Sequence, residues 1–451
     1  MREYDLTRGS ILGNLIRFSL PYLLSCFLQT FYGLADLVIV GRFNGPATIA
    51  AVAVGSQATH MLTLILAGLA LGSTVTISRA VGAGDRDRAG KAIGSTVLLF
   101  IVVAAVLTVV LLLCLGGVLS VLSVPAEAWA DARVYLLICF AGIPFITAYN
   151  VISSIFRGLG DTRRPMYFVA VAGVLNVGLD LLLIGPFHMG AAGAAFATII
   201  AQAVSVALFL LYIRLKMPGF LPKVRVFRLH RGVLGRILRV GLPVAAQDGL
   251  IQIAFLVITV IANRRGVSIA ASVGIVEKLI GFMFLVPSAM LSAVSAISAQ
   301  NLGAGRPERA RKTLFCGMAL SVGAGLFFTV LCQLDAAGII ALFAGGDPEV
   351  VVFGSQYLRA YVFDCAIAGI HFCYSGYFCA CQRSLLSFAH NLASIILMRI
   401  PGAYLASLWY PDTLFPMGLA APLGSLLSAV ICFAADAVIR RRSKDPFPDR
   451  L

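Results

Sequence analysis

The stretch "GAGDRDRAGKA", residues 82–92, decides the fold, because a close copy of it, "GAGRPERARKT", stands at residues 303–313. A second pair of segments, "LIRFSLP" at 15–21 and "ILRVGLP" at 237–243, repeats at nearly the same spacing, 222 residues against 221. Apolar segments often resemble each other by chance, but chance does not preserve the spacing between two separate pairs. The sequence therefore predicts two related halves of similar length.

The composition predicts that both halves lie in a membrane. Hydrophobic residues make up 60% of the 451 residues and charged residues only 12%, whereas soluble domains carry about 25% charged residues. A spanning helix needs roughly 20 mostly apolar residues, and the sequence contains twelve such stretches. They lie near 15–40, 52–78, 92–116, 133–157, 166–184, 191–215, 237–262, 272–298, 313–333, 352–378, 385–409 and 417–440. No cleavable signal peptide is expected, since the first stretch leads straight into further helices.

Six stretches fall in each half, so both halves begin on the same side of the membrane. We therefore expect an all-α integral membrane protein whose twelve transmembrane helices form two six-helix bundles, related by a pseudo-two-fold axis along the membrane normal. Residues 1–215 form the predicted N-terminal lobe and residues 237–451 the C-terminal lobe. The basic stretch 216–236 is the predicted cytoplasmic linker between them.

The distribution of positive charge predicts the orientation. The net charge is +15, and 28 of the 35 Lys and Arg residues fall in segments that are cytoplasmic if both termini are cytoplasmic. Such a bias is the usual sign of topology in membrane proteins. A nucleic-acid partner is not expected, because the excess charge follows the loops rather than forming a binding patch.

Several polar residues lie deep within the apolar stretches. "LNVGLDLLLIG" at 175–185 contains Asn176 and, one turn later on the same helix face, Asp180. A carboxylate at the centre of a bilayer costs roughly 2.5–3.5 kcal/mol on insertion scales, so its presence usually reflects a function. Helix counting places Asp36, Thr198 and Tyr135 at a similar depth of the first lobe. The second half has Ile258 and Met398 at the places of Asp36 and Asp180, so the layer is not repeated.

Two carboxylates, an amide and a hydroxyl form an oxygen-rich set that can bind Na⁺. Alternatively, the two carboxylates can share a proton, because neighbouring carboxylates in a medium of low dielectric constant repel each other. Both ions remain open, and no other metal is expected. The alternative role is structural, since Asn and Thr often join helices through hydrogen bonds in membranes.

The chain resembles the multidrug and toxic compound extrusion (MATE) transporters, and among them the bacterial DinF-like branch. The resemblance covers nearly the whole chain. It depends on Pro21 and on five motifs: "YGLADLVIVGR" (32–42), "FRGLGDTRRPM" (156–166), "LNVGLDLLLIG" (175–185), "MGAAGAAFAT" (189–198) and "AQNLGAGRPERARK" (299–312).

The resemblance implies an exporter of mostly cationic, amphipathic small molecules, which are exchanged for Na⁺ or H⁺ by alternating access. It further implies a monomer in the inner membrane of a bacterium, without a cofactor or enzymatic activity. Positions of the family's ion-coupling site match Asp36, Asn176, Asp180 and Thr198, and positions of its polar neighbours match Gln29, Tyr135 and Asn150. Pro21 matches a proline thought to let the first helix bend, and a proline inside a helix does permit a kink.

Three other charged residues are candidates for a cavity in the second lobe: Asp248, Asp364 and Arg399. Pairing between such acids and a nearby cation is the structural alternative. Arg359 and Arg399 also keep open a lipid-linked oligosaccharide flippase of the same superfamily, since cations in a cavity can bind a pyrophosphate.

Two patterns that resemble enzyme or metal motifs are better explained by structure. "GLGD" at 158–161 fits intramembrane aspartyl proteases, but the Thr, Arg, Arg and Pro that follow Asp161 indicate a turn between helices. "CAIAGIHFCYSGYFCAC" at 365–381 lacks the paired CxxC spacing of a metal site. We therefore expect neither protease activity nor metal binding there.

Overall fold

The computed structural model describes residues 5–122, 124–216 and 229–442, and within these ranges the regular structure is helical, without a strand. The helices of the first half are α1 (Ile11–Phe43), α2 (Pro46–Gly82), α3 (Arg86–Leu113), the short α4 (Leu115–Val121), α5 (Trp129–Ala141), α6 (Ile143–Gly158), α7 (Arg163–Ile184) and α8 (Gly190–Lys216). Those of the second half are α9 (Arg231–Asn263), α10 (Val267–Met283), α11 (Leu285–Gly303), α12 (Pro307–Ala341), α13 (Pro348–Tyr361), α14 (Phe363–Ala380), α15 (Ser384–Ser394), α16 (Ile400–Trp409) and α17 (Phe415–Arg442). Residues 217–228 of the predicted linker lie outside the described residues.

Twelve membrane spans can be counted in the described part of the chain. Eleven helices or helix pairs are long and apolar enough to cross a bilayer, and the twelfth span is the pair Ala126–Ala141 and Ile143–Gly158, bent by 48°. The bend lies at Gly142, where any side chain would collide with that of Ile199. The prediction of an all-α membrane protein with six spans in each half is confirmed.

The turns at the repeated segments 82–92 and 303–313 have the same backbone geometry in both halves. Gly84 and Gly305 have left-handed φ angles of +72° and +70°, which glycine adopts without strain. In each turn the next residue donates a hydrogen bond five residues back, from Asp85 to Ala80 (3.1 Å) and from Arg306 to Asn301 (2.8 Å). These are helix C-terminal caps that satisfy otherwise free carbonyls.

A second pair of turns keeps its geometry although the residues differ. Gly160 of the "GLGD" segment has φ +92°, and Gln382, 222 residues later, has φ +58°. The following residues again donate to matching carbonyls, Asp161 to Phe156 (2.9 Å) and Arg383 to Phe378 (2.8 Å). The "GLGD" segment is therefore a helix-terminating turn, as predicted.

The described residues group into two compact units. The first unit runs from Leu20 to Leu238, and the second contains the residues up to Ser19 together with those from Arg239 onward. The boundaries fall inside helices α1 and α9, close to Pro21 and Pro243. Within the second unit, Leu6, Leu15 and Phe18 are buried in one apolar core with residues of α11, α12 and α14.

The spans of the second unit contain more helix breaks than their apolar runs suggest. In α12, Asp335 leaves the helical conformation (φ −145°, ψ 59°), and its Oδ1 accepts from the Gly338 amide at 2.8 Å, so it caps the following turn. Between α15 and α16, residues Ile395–Arg399 form a π-helical turn. Such turns are rare and often occur at functional sites.

Candidate ion and substrate sites

The first unit contains the predicted layer of polar residues as one cluster, the acid cluster, which consists of Asp36, Asn176, Asp180 and Thr198. Asp36 of α1, Asn176 and Asp180 of α7 are buried, with 6%, 1% and 0% of their surface exposed, and Thr198 of α8 is half-buried. The Asp36 carboxyl group has the side chains of the other three as its immediate neighbours. Asn176 Nδ2 donates to Thr198 Oγ1 at 3.5 Å, which joins α7 to α8.

The cluster has an excess of hydrogen-bond acceptors. Asp36 Oδ1, Asn176 Oδ1 and both carboxylate oxygens of Asp180 are buried without a hydrogen-bond partner among the described residues. Buried polar atoms are normally paired, and two facing carboxylates repel each other unless a cation or a proton lies between them. The arrangement can therefore bind a small cation or hold a proton.

Tyr135 packs beside this cluster because a glycine leaves room for its ring. The side chain is 2% exposed and interacts electrostatically with both Asp36 and Asp180. A methyl group at Gly55 of α2 would overlap the Tyr135 ring. Gly55 thus determines how closely α2 and α5 approach, and it places the aromatic ring next to the acids.

Sequence reasoning missed two further residues, Tyr32 and Gln202, which lie one helical turn from Asp36 and Thr198 respectively. Gln202 Nε2 donates to the Tyr32 hydroxyl at 3.5 Å, and Gln202 Oε1 is buried without a partner in the described part of the chain. Each lies four residues along its helix from a predicted site residue, and this spacing is the signal that could have identified both.

The remaining residues predicted for the first lobe have described contacts with groups other than the acids. Gln29 interacts with Tyr149, and Asn150 donates to the Ile146 carbonyl of its own helix at 2.9 Å. Pro21 lies inside α1, and its carbonyl accepts from Ser25 Oγ at 2.9 Å. No described contact joins these three residues to Asp36.

The second unit contains a chain of paired polar groups. Arg399 Nη2 contacts Asp364 Oδ2 at 3.1 Å and donates to Ser425 Oγ at 2.8 Å. Ser425 Oγ in turn lies 3.2 Å from His371 Nε2. His390, whose ring centroid is 5.6 Å from that of His371, bonds to Ser375 Oγ at 2.9 Å. Asp364 is thus paired with Arg399. Such pairing of an acid with a nearby cation is the structural alternative to a role in a cavity.

The other charged residues of interest have simpler surroundings. Asp248 is half-buried and has no hydrogen bond or ion pair to a described residue. Glu277, which sequence reasoning did not select, accepts from Thr259 Oγ1 at 3.3 Å. Within the described ranges no three His, Cys, Asp or Glu side chains are placed to hold a metal ion.

Asp161 of the "GLGD" segment has a capping role. Its Oδ1 accepts from the amides of Arg163 (3.0 Å) and Arg164 (3.3 Å), and its Oδ2 pairs with Arg164 Nη1 at 3.1 Å. Burial raises the pKa of this loop carboxyl, and the Arg164 contacts partly oppose the shift. These described contacts of Asp161 begin α7, and none of them is with a second aspartate.

The MatE family model matches the chain twice, over residues 21–182 and 243–405. The chain belongs to the MatE family. The two matches begin at Pro21 and Pro243, 222 residues apart, so each corresponds to one of the predicted halves. The predicted family is confirmed, and the protein is therefore a multi-pass membrane protein of a transporter family.

Similar proteins with names of their own occur in several bacteria. This MatE protein is 29% identical to a "Probable multidrug resistance protein YpnP" of Bacillus subtilis. The alignment extends over 435 residues and covers 96% of each chain. It is 26% identical to an "FAD transporter" of Shewanella oneidensis, over 93% of each chain. The match to "DNA damage-inducible protein F" of Escherichia coli is 27% identical and covers 72% of this chain and 71% of the relative.

Solved structures share the fold. An outward-facing multidrug resistance MATE transporter superposes with a TM-score of 0.90 at 22% identity, covering 97% of this chain and 98% of that chain. A transporter of the MOP superfamily from Pyrococcus furiosus has a TM-score of 0.91 with the same identity and coverage.

Proposed function

We propose that the protein is a secondary active efflux transporter. It exchanges amphipathic, mostly cationic small molecules from the cytoplasm for Na⁺ or H⁺ by alternating access. It works as a monomer in the inner membrane of a bacterium, with both termini in the cytoplasm and without a cofactor. The lobes predicted from the sequence repeat, 1–215 and 237–451, are the proposed moving bodies, except that Leu6, Leu15 and Phe18 move with the second, in whose core they lie.

The excess of acceptors in the first unit carries this proposal. Four buried oxygen atoms from Asp36, Asn176 and Asp180 have no partner in the described ranges, and Thr198 Oγ1 lies beside them. Buried side-chain oxygens normally have a hydrogen-bond partner in the protein or in ordered water. A site that needs a cation or a proton to become neutral can respond to the concentration of that ion, as a coupled transporter requires.

Ion and substrate exchange follows if their binding equilibria are linked. An ion bound between Asp36 and Asp180 removes the negative charge that attracts a cationic substrate, so each disfavours the other by the same factor. Asn176 and Thr198 orient the site through their mutual hydrogen bond. The relatives named for multidrug resistance support export, and the facing carboxylates of Asp36 and Asp180 favour a cation over the pyrophosphate that a flippase would bind.

Efflux from proteoliposomes tests the proposal. A fluorescent lipophilic cation is loaded, and Na⁺ and pH gradients are imposed separately on wild type, Asp180→Asn and a control, Asp87→Asn. Asp87 is 70% exposed and pairs with Lys91 at the protein surface, so its variant removes a carboxylate without touching the cluster. We expect one gradient to drive efflux in wild type and in the control, and none to drive it in Asp180→Asn.

The gradient that works identifies the coupling ion. If neither gradient drives efflux in wild type, the proposal of coupled export is wrong. If Asp180→Asn transports as fast as the control, export stands but the coupling site must lie elsewhere.

A further inference from the structure

The surroundings of Arg399 have an excess of hydrogen-bond donors, the reverse of the acid cluster. Both of its contacts use Nη2, while Nε and Nη1 bond to none of the described residues. Ser425 Oγ accepts from Arg399 Nη2 and also lies 3.2 Å from His371 Nε2, and the other ring nitrogen of His371 is Nδ1. That Nδ1 atom is buried and without a partner in the described ranges.

In the ion pair between Arg399 and Asp364, the positively charged side chain is the accessible one. The Arg399 side chain is 12% exposed, whereas that of Asp364 is 0% exposed. An incoming cation would have to displace Arg399 before reaching Asp364. An incoming anion can bind the free edge of the guanidinium while Asp364 holds the other side, and a guanidinium suits a planar carboxylate because it offers parallel donors.

The position of the pair suits a binding site. At roughly 1.5 Å per residue, Asp364 lies about 24 Å from either end of its span, and Arg399 about 15 Å from the nearer end of its own. An accessible guanidinium at such a depth faces water or a ligand rather than lipid, because exposure to hydrocarbon is costly. Transporters bind their substrates near the midplane.

Local backbone features hold the arginine in place. Arg399 ends the π-helical turn Ile395–Arg399. Gly424 of α17 makes room for it, since a methyl group there would lie 2.7 Å from Arg399 Cγ and 2.7 Å from Ser394 Oγ. Ser394 Oγ is another buried group without a partner in the described part of the chain.

We propose that Arg399, with Ser425 and His371 behind it, binds the carboxylate of amphipathic organic substrates. The second unit would thereby bind compounds that carry a carboxylate beside an aromatic or cationic body. The acid cluster of the first unit would repel that carboxylate. This inference depends on the proposed export function and specifies part of its substrate range.

A matched pair of dyes tests the inference. A rhodamine free acid and its methyl ester share a cationic ring system and differ only in one carboxylate. Efflux of both is measured in proteoliposomes for wild type, Arg399→Gln and a control, Arg359→Gln, whose side chain is exposed in the same unit. We expect the ratio of acid to ester efflux to fall about ten-fold in Arg399→Gln, as loss of a charge-assisted hydrogen bond predicts, and to stay constant in the control.

A further variant addresses folding, because Arg399→Gln leaves Asp364 buried without its partner. The double variant Arg399→Gln/Asp364→Asn removes both charges and should show the same fall in the ratio, while Arg399→Lys should restore part of it. An unchanged ratio in the double variant overturns the inference. The inference is also overturned if the ratio of acid to ester efflux falls only in liposomes that contain anionic lipid, since the site would then bind a lipid headgroup.

The test separates this inference from the proposed function. Gradient-driven efflux of the ester without any efflux of the acid would leave export intact and refute the carboxylate site. Absence of efflux for both dyes in wild type would refute both.

Discussion

The two units use buried charge in opposite ways. In the first, Asp36 and Asp180 face each other with oxygens that no described residue satisfies. In the second, Asp364 is paired with Arg399, which is also bonded to Ser425. The two acids of the first unit thus have no cation among their described neighbours, whereas Asp364 of the second has Arg399. Related halves have kept their backbone turns while the chemistry of their interiors diverged.

The comparison predicts that removing one carboxylate changes the free energy of unfolding in opposite directions in the two units. This is the largest effect expected. Asp364→Asn leaves Arg399 without its partner, so it should lower the free energy of unfolding by about 3–5 kcal/mol. Asp180→Asn relieves repulsion with Asp36 and should leave stability unchanged or raise it. Thermal unfolding of the purified proteins in detergent, without added substrate, measures both.

The double variant Asp364→Asn/Arg399→Gln serves as the control and should recover much of the loss. Equal destabilisation by Asp364→Asn and Asp180→Asn would mean that both acids have structural partners, and the contrast between the units would fail.

Two glycines should matter equally in the two units, because each makes room for one functional side chain. Gly55→Ala pushes against the Tyr135 ring, and Gly424→Ala against Arg399 and Ser394. Overpacking of this kind costs about 1–3 kcal/mol. Gly178→Ala in α7 is the matched control, since no atom lies within 4 Å of its added methyl group.

Melting temperatures and dye efflux should be measured together for these variants. We expect Gly55→Ala to slow ion-driven efflux of a cation, and Gly424→Ala to lower the ratio of acid to ester efflux. Normal stability and transport in either variant would show that the neighbouring side chain can move aside.

The smallest effect concerns the matching turns. Gln382 adopts a left-handed φ of +58° where the other half has Gly160, and this conformation costs a non-glycine residue roughly 1–2 kcal/mol. Gln382→Gly should therefore stabilise the protein by about 1 kcal/mol, and Gly160→Gln should destabilise it by a similar amount. Chemical unfolding of both variants side by side checks the opposite signs. A loss of stability in Gln382→Gly would show that the Gln side chain contributes more than its backbone strain costs.

The sequence was enough to predict the spans, the two halves and the members of the acid cluster. The spans and the cluster depend on information within single helices, an apolar run or the depth of a carboxylate, and the halves depend on motifs repeated at a fixed spacing. Asp36, Asn176, Asp180 and Thr198 could be grouped because straight helices place residues at a depth that can be counted.

The surroundings of Arg399 could not be predicted in the same way. Its partners come from two other spans, with Asp364 and His371 on α14 and Ser425 on α17. The π-helical turn at Ile395–Arg399 changes the helical register just before Arg399, so a period of 3.6 residues misplaces its side chain. The break between α13 and α14 likewise lies inside one continuous apolar stretch.

The boundary of the two units inside α1 has a consequence for how the gene can be divided. Leu6, Leu15 and Phe18 are encoded at the start of the first half, yet their side chains are buried in the core of the second unit. A second half produced as its own polypeptide from residue 237 would lack these three side chains and expose the surfaces that cover them. Although the protein carries the marks of a duplicated gene, its halves are no longer interchangeable modules, because a split between them separates Leu6, Leu15 and Phe18 from the core that they complete.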